Sequence, residues 1–186
     1  MPERTRTSIF FEIALYTSIA LAIVIPFRFF VAQPFIVSGA SMLPTIAPKE
    51  YLVIDVISHS LREPARGDVI IFRYPFDSTI YFVKRIIGLP GETVRIVDGA
   101  VTIEKSDGTL IPLDETYLLD EYRTRETQET KLDQGEYFVM GDNRKGSSDS
   151  RVWGPLQEKF IVGYAAARLY PLERIGLYPG HHDFPR

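Results

Sequence analysis

Cysteine is absent from the 186 residues, which excludes a disulfide framework, a thiolate metal site and a cysteine nucleophile. Histidine is scarce: His59, His181 and His182 are the only three. That leaves no His-rich metal site and points any enzymatic chemistry toward another base. No metal or cofactor is expected. An excess of charge of one sign is also lacking, with 21 Lys and Arg against 24 Asp and Glu, so there is no electrostatic footprint for a nucleic-acid partner. Internal repeats and low-complexity runs are missing too. With 45% hydrophobic and 24% charged residues, the composition excludes a disordered tail, a collagen-like fibre and a multi-span membrane protein.

The apolar residues are unevenly placed. From Ile13 to Phe27 no charged side chain occurs, and apolar character continues through Val31. The stretch 8–31 is long enough for one helix across a ~30 Å hydrocarbon layer, and it is expected to be a single transmembrane helix. A cleaved leader would have a shorter apolar run and a small-residue cleavage site. A buried core helix would carry a wider polar stripe than Tyr16, Thr17 and Ser18 supply. Arg4 and Arg6 precede the stretch, so residues 1–7 are expected in the cytoplasm.

Beyond it the pattern becomes short runs rich in Val, Ile, Tyr and Phe: 51–57, 68–72, 81–87, 94–97, 101–104, 136–140 and 160–169. Turn residues separate them, and Asp98-Gly99 between two alternating runs is a strong hairpin signal. The expected fold is mostly β. A transmembrane helix leads into a compact domain of short antiparallel strands over 32–186, with a small hairpin insertion or cap over 93–135. Residues 114–134 are the most polar and read as an exposed connection. The tail after Leu172 reads as loose.

Three local features carry chemistry. Ser41 lies in a Gly-containing turn (Ser38-Gly39-Ala40-Ser41-Met42-Leu43-Pro44-Thr45) just past the apolar stretch. Lys84 lies in a run in which Phe82 and Ile86 share its face of a strand. Such a lysine is ordinarily an edge gatekeeper; desolvated, it becomes a neutral base able to activate a serine without histidine. The third feature is the loop Gly141-Asp142-Asn143-Arg144-Lys145-Gly146-Ser147-Ser148-Asp149-Ser150-Arg151, on its own a solvated turn with local Asp–Arg pairs.

In order, SGASMLPT (38–45), RGDVIIF (66–72), YFVKRIIGLPGE (81–92) and GDNRKGSSDSRVWGP (141–155) resemble the bacterial type I signal peptidase family. The resemblance implies a serine endopeptidase with a Ser/Lys dyad, anchored in the bacterial cytoplasmic membrane with its catalytic domain on the outer face. It implies Ser41 as nucleophile, Lys84 as general base and Ser147 as the hydroxyl orienting the lysine. Arg85, Asp142, Asp149 and Arg151 would form structural ion pairs. Phe35, Val37, Met42, Ile46, Phe82 and Val83 would line shallow pockets for the small residues before the cleaved bond. Gly39 stands where the Gram-negative pattern has an oxyanion-binding serine, leaving backbone N–H donors, Ser41 first. The implied partners are signal-peptide-bearing preproteins, the lipid bilayer and, indirectly, the secretion machinery; nucleic acid is not among them. Two rivals remain: a self-cleaving repressor of the Ser/Lys type, which would carry a DNA-binding domain, and a non-enzymatic anchored β-domain that binds envelope proteins.

Overall fold

The computed structural model describes residues 6–26 and 32–184. Residues 1–5 of the expected cytoplasmic terminus and 27–31 of the expected anchor lie outside the described residues. Helix α1 runs Arg6–Pro26 and leaves Ile9, Phe10, Phe11, Ile13, Leu15, Tyr16, Ile19, Leu21 and Val24 exposed. Among the described residues no helix is long and apolar enough to cross a membrane. The expected span ran to residue 31, five residues past the end of α1.

The rest is mostly β, in two antiparallel sheets. The larger has the order β1(Ala32–Ile36), β2(Tyr51–Asp55), β11(Ile161–Tyr170), β3(Val69–Tyr74), β4(Asp77–Gly88), β9(Glu136–Met140) and β10(Leu156–Gln157), with β12(Gly176–Leu177) paired to β11. The smaller comprises β7(Leu110–Pro112), β6(Ala100–Glu104), β5(Thr93–Val97) and β8(Gln128–Lys131). Its β5–β6 hairpin turns at Asp98-Gly99, both with positive φ (48° and 81°), the conformation that a two-residue turn between twisted strands requires. Residues 114–134 are not wholly irregular: β8 pairs with β5 and completes this sheet.

Alternation distributes the core. In β3, Val69 and Ile71 face a cluster with Val37, Met42, Ile46, Leu52 and Val83, while Ile70 and Phe72 face another with Ile86, Tyr137, Val139 and Leu156. A third cluster joins the sheets, packing Val94, Ile96, Val101 and Ile103 against Ile87, Phe138 and Met140. Strand β4 is exposed from Asp77 to Tyr81 and buried from Val83 onward. Its inner half is thus anchored while its outer half projects as a wall.

The polar segments end differently from expectation. The run expected over 51–57 stops at Asp55, whose carboxylate accepts hydrogen bonds from the Ser58 N–H and hydroxyl and turns the chain into α2(Ile57–Leu61). The tail is not loose. After a 3-10 turn at Leu172–Arg174, β12 pairs with β11. The chain then runs on to Phe184, which is buried with its ring against those of Tyr117 and His182.

Candidate active site

Ser41 and Lys84 are 43 positions apart in sequence and meet in space. Lys84 Nζ and Ser41 Oγ lie 2.6 Å apart, within hydrogen-bond reach. Ser41 is held by its turn and by the loop after β9. The Leu43 N–H donates to Ala40 O and the Ile46 N–H to Met42 O. The Asn143 N–H donates to Ser41 O at 2.9 Å, and Asn143 Nδ2 donates to Ala40 O. Gly141 permits this approach: a Cβ there would lie 2.4 Å from Ser41 O and 2.3 Å from Ser147 Oγ. The Ser41 N–H donates to no described protein group.

Lys84 is 3% exposed, and its Nζ lies 5.0 Å from the centre of the Phe82 ring. Among the described residues it forms no ion pair. Burial pushes its pKa down from 10.5 to about 8; Asp149 and Asp142 pull the other way, more weakly. Desolvation penalises the ammonium form and leaves a usable neutral fraction near pH 7.

The carboxylates are occupied elsewhere. Arg85 Nε and Nη2 donate to the two oxygens of Asp142, at 2.9 and 2.7 Å, with both side chains buried. Arg151 Nε and Nη2 donate to the two oxygens of Asp149, each at 2.8 Å. Burial alone would raise the Asp149 pKa, but the bonds from Arg151 and the Gly141 N–H bring it below the ordinary value. A third pair, which the sequence reading missed, joins buried Arg144 and Glu115. Nothing local marks it, because the partners lie 29 positions apart.

Phe35, Val37, Met42, Phe82 and Val83 line a groove of about 260 Å³ with Ser41 and Lys84 at its floor. Ser38, Gly39, Ala40, Ile80, Tyr81, Gly146 and Ser148 complete it; Ile80 shares the face of Phe82 and Lys84 on β4 and could have been read from its alternation. Two expectations need correction. Ile46 is not in the groove: it is fully buried in the core beneath, because the turn after Pro44 directs it inward. The expected Ser147–Lys84 bond is not formed. Ser147 Oγ is buried without a well-formed hydrogen bond, wedged against Gly141 and beside the Asp149 carboxylate. Gly39 has open space where a Cβ would stand.

A hydroxyl within reach of a buried, unpaired amine at the floor of an apolar groove is the equipment of a hydrolase that works through a side-chain nucleophile. The chain belongs to the signal peptidase family, peptidase S26, whose model matches residues 10–170, and is thereby a serine endopeptidase of the type I signal peptidase kind. It is 38% identical over 165 residues to the probable signal peptidase I-1 of Synechocystis sp., covering 85% of this chain and 81% of that one. It is 33% identical over 183 residues to signal peptidase I T of Bacillus subtilis, covering 93% and 91%. A solved signal peptidase I from Enterococcus faecalis aligns with 55% of this chain and 97% of that chain, at 29% identity and a TM-score of 0.47.

Proposed function

We propose that this chain releases exported proteins from their signal peptides by cleaving after small residues, with Ser41 as nucleophile and neutral Lys84 as general base. The observation that carries the reading is the 2.6 Å approach to Ser41 Oγ of Lys84 Nζ, a buried amine in no ion pair among the described residues. In the first step Ser41 Oγ attacks the scissile carbonyl carbon while its proton passes to Lys84 Nζ. The oxyanion accepts from the free Ser41 N–H. Lys84 returns that proton to the leaving amine as the C–N bond breaks, and an ester to Ser41 remains. Water then attacks the ester, giving its proton to Lys84, and the proton returns to Ser41 Oγ as the acid leaves.

Substrate shape follows from β4. Strand β9 pairs with it only from Arg85 onward, so the stretch Asp77–Lys84 keeps one edge open beside the groove. An extended peptide can add along such an edge, with its small side chains turned into the shallow apolar floor.

Position is part of the reading. The segment 8–31, whose residues 8–26 lie in α1, is proposed to anchor the chain in the bacterial cytoplasmic membrane. Residues 1–7 would lie inside and the β-domain outside. The nine exposed apolar side chains of α1 support this, because water does not favour such a surface. A signal peptide's apolar segment occupies the same bilayer, so confinement raises the effective concentration of substrate at Ser41. Delivery by the secretion machinery is an indirect partnership under the same proposal.

The test is incubation of the detergent-solubilised chain with a preprotein, beside Ser41→Ala. Cleavage after a small residue by the wild type, lost in the variant, is the expected result. Equal processing by both would return Ser41 to a structural role and remove it as the nucleophile.

A further inference from the structure

The turn that presents Ser41 is gripped from below by the tail beyond Tyr170, outside the span that matches the family. Arg174 Nη2 donates to Pro44 O at 3.2 Å and to Thr45 O at 2.9 Å, while its Nη1 donates to Glu50. Six residues on, Gly180 O accepts from Arg85 Nη1. Gly180 has φ +84°, and a Cβ there would lie 2.4 Å from Thr45 Cγ2 and 3.2 Å from Val69 Cγ2. The backbone of the tail is therefore pressed directly against the end of the reactive turn.

These contacts continue to the site. Thr45 Oγ1 donates to Asp142 Oδ2 at 2.5 Å, and Arg85 holds both oxygens of the same carboxylate. Asn143, the next residue, carries the N–H that fixes Ser41 O. Without the tail, the buried Arg85 would lose one of its carbonyl acceptors, and Thr45 would keep its bond to Asp142 but lose the wall behind it. An unpaired N–H on a buried guanidinium is costly enough to move the group that bears it.

We propose that residues 171–184 form a positioning strap for the nucleophile, acting through Arg174 on the carbonyls of Pro44 and Thr45 and through Gly180 on Thr45 and the Arg85–Asp142 pair. The strap touches no reacting atom. It fixes where the turn stands relative to Lys84, and its role in cleavage rests on the proposed function of Ser41 and Lys84.

The test compares wild type, Gly180→Ala and Arg174→Gln as full chains in detergent, with Ser41→Ala as the reference for lost chemistry. Cleavage of a soluble signal-peptide-derived peptide is measured alongside backbone hydrogen exchange. Gly180→Ala combines a strained φ with a collision against Thr45, and misplacement of a reactive group by about 1 Å can cost on the order of 100-fold in rate. The expected result is a fall of kcat by about 10-fold to 100-fold with KM unchanged. The Leu43 and Ile46 amides should exchange faster while those of β9 keep their protection. Wild-type kcat and exchange in a folded Gly180→Ala would overturn the proposal. So would faster exchange spread evenly over both sheets, which would mark general destabilisation. If Gly180→Ala does not fold, Arg174→Gln, altered at a partly exposed side chain, is judged by the same criteria. Failure of the wild type to cleave would count against the functional reading alone, and exchange at Leu43 and Ile46 would still decide whether the strap holds the turn.

Discussion

Two neighbouring cations on β4 meet opposite fates. Arg85 is fully buried and donates to the two oxygens of Asp142 and to the carbonyls of Gly67 and Gly180; its charge is compensated and its pKa is raised, Asp142 outweighing the effect of burial. Lys84, one residue earlier and almost as buried, has a hydroxyl and an aromatic ring for company and no ion pair among the described residues. A sheet turns adjacent side chains to opposite faces, so one strand can hold a permanent cation on one side and a titrating amine on the other. Burial opposes the charged form in both places; the Asp142 carboxylate outweighs it at Arg85, and no ion pair among the described residues does so at Lys84.

The harshest way to break the contrast is to remove the amine. Lys84→Met should lower kcat/KM for a peptide substrate by at least 10²-fold to 10⁴-fold, the usual contribution of a general base. Thermal unfolding at pH 7 should show it as stable as wild type or more so. The sign follows from the lowered pKa: the unfolded chain binds the proton more tightly, so burial of Lys84 carries its full cost below the folded value of about 8. That cost fades as pH rises from there toward 10.5. The difference corresponds to roughly 3 kcal/mol. Lys84→Arg should be equally inactive, since a guanidinium stays charged throughout this range, and less stable.

Breaking the paired side should show the reverse ordering, with stability failing first. Asp142→Ala leaves the buried Arg85 charge uncompensated, and losses of about 3–5 kcal/mol are typical of such a change. Denaturant unfolding is the check. A loss below 1 kcal/mol would mean that Arg85 finds solvent or another acceptor.

The smallest effect belongs to the second sheet. Arg95 pairs with Glu104 and Glu129 across exposed strand faces, where ion pairs contribute at most about 1 kcal/mol. Arg95→Ala should therefore leave cleavage unchanged and the unfolding midpoint nearly so. A large loss of activity would make the small sheet part of the catalytic apparatus.

The candidate site was readable in the sequence where its residues sit in short patterns. Ser41 in a glycine-containing turn and Lys84 between apolar neighbours are local features, and so is the Asp98-Gly99 hairpin. What escaped depends on contacts between distant segments. The family resemblance puts Ile46 in the groove, but the turn after Pro44 sends it into the core. Ser147 was assigned to the lysine, but it is pressed against Gly141. The tail looked loose because its polar and glycine residues carry no periodicity. Its order comes from Arg85, Glu50 and Thr45, supplied from far earlier in the chain. The small sheet was half visible, since β8 (Gln-Glu-Thr-Lys) has no apolar alternation and exists through its pairing with β5.

The central claim is that Lys84 works because it is buried without an ion pair, and the pH dependence of kcat/KM for a soluble peptide tests it most directly. The account predicts an acid limb governed by a single group with an apparent pKa of about 8, activity rising with pH as the amine loses its proton. A limb near 10.5, or activity independent of pH between 6 and 9, would contradict it (an ordinary exposed lysine titrates near ~10.4).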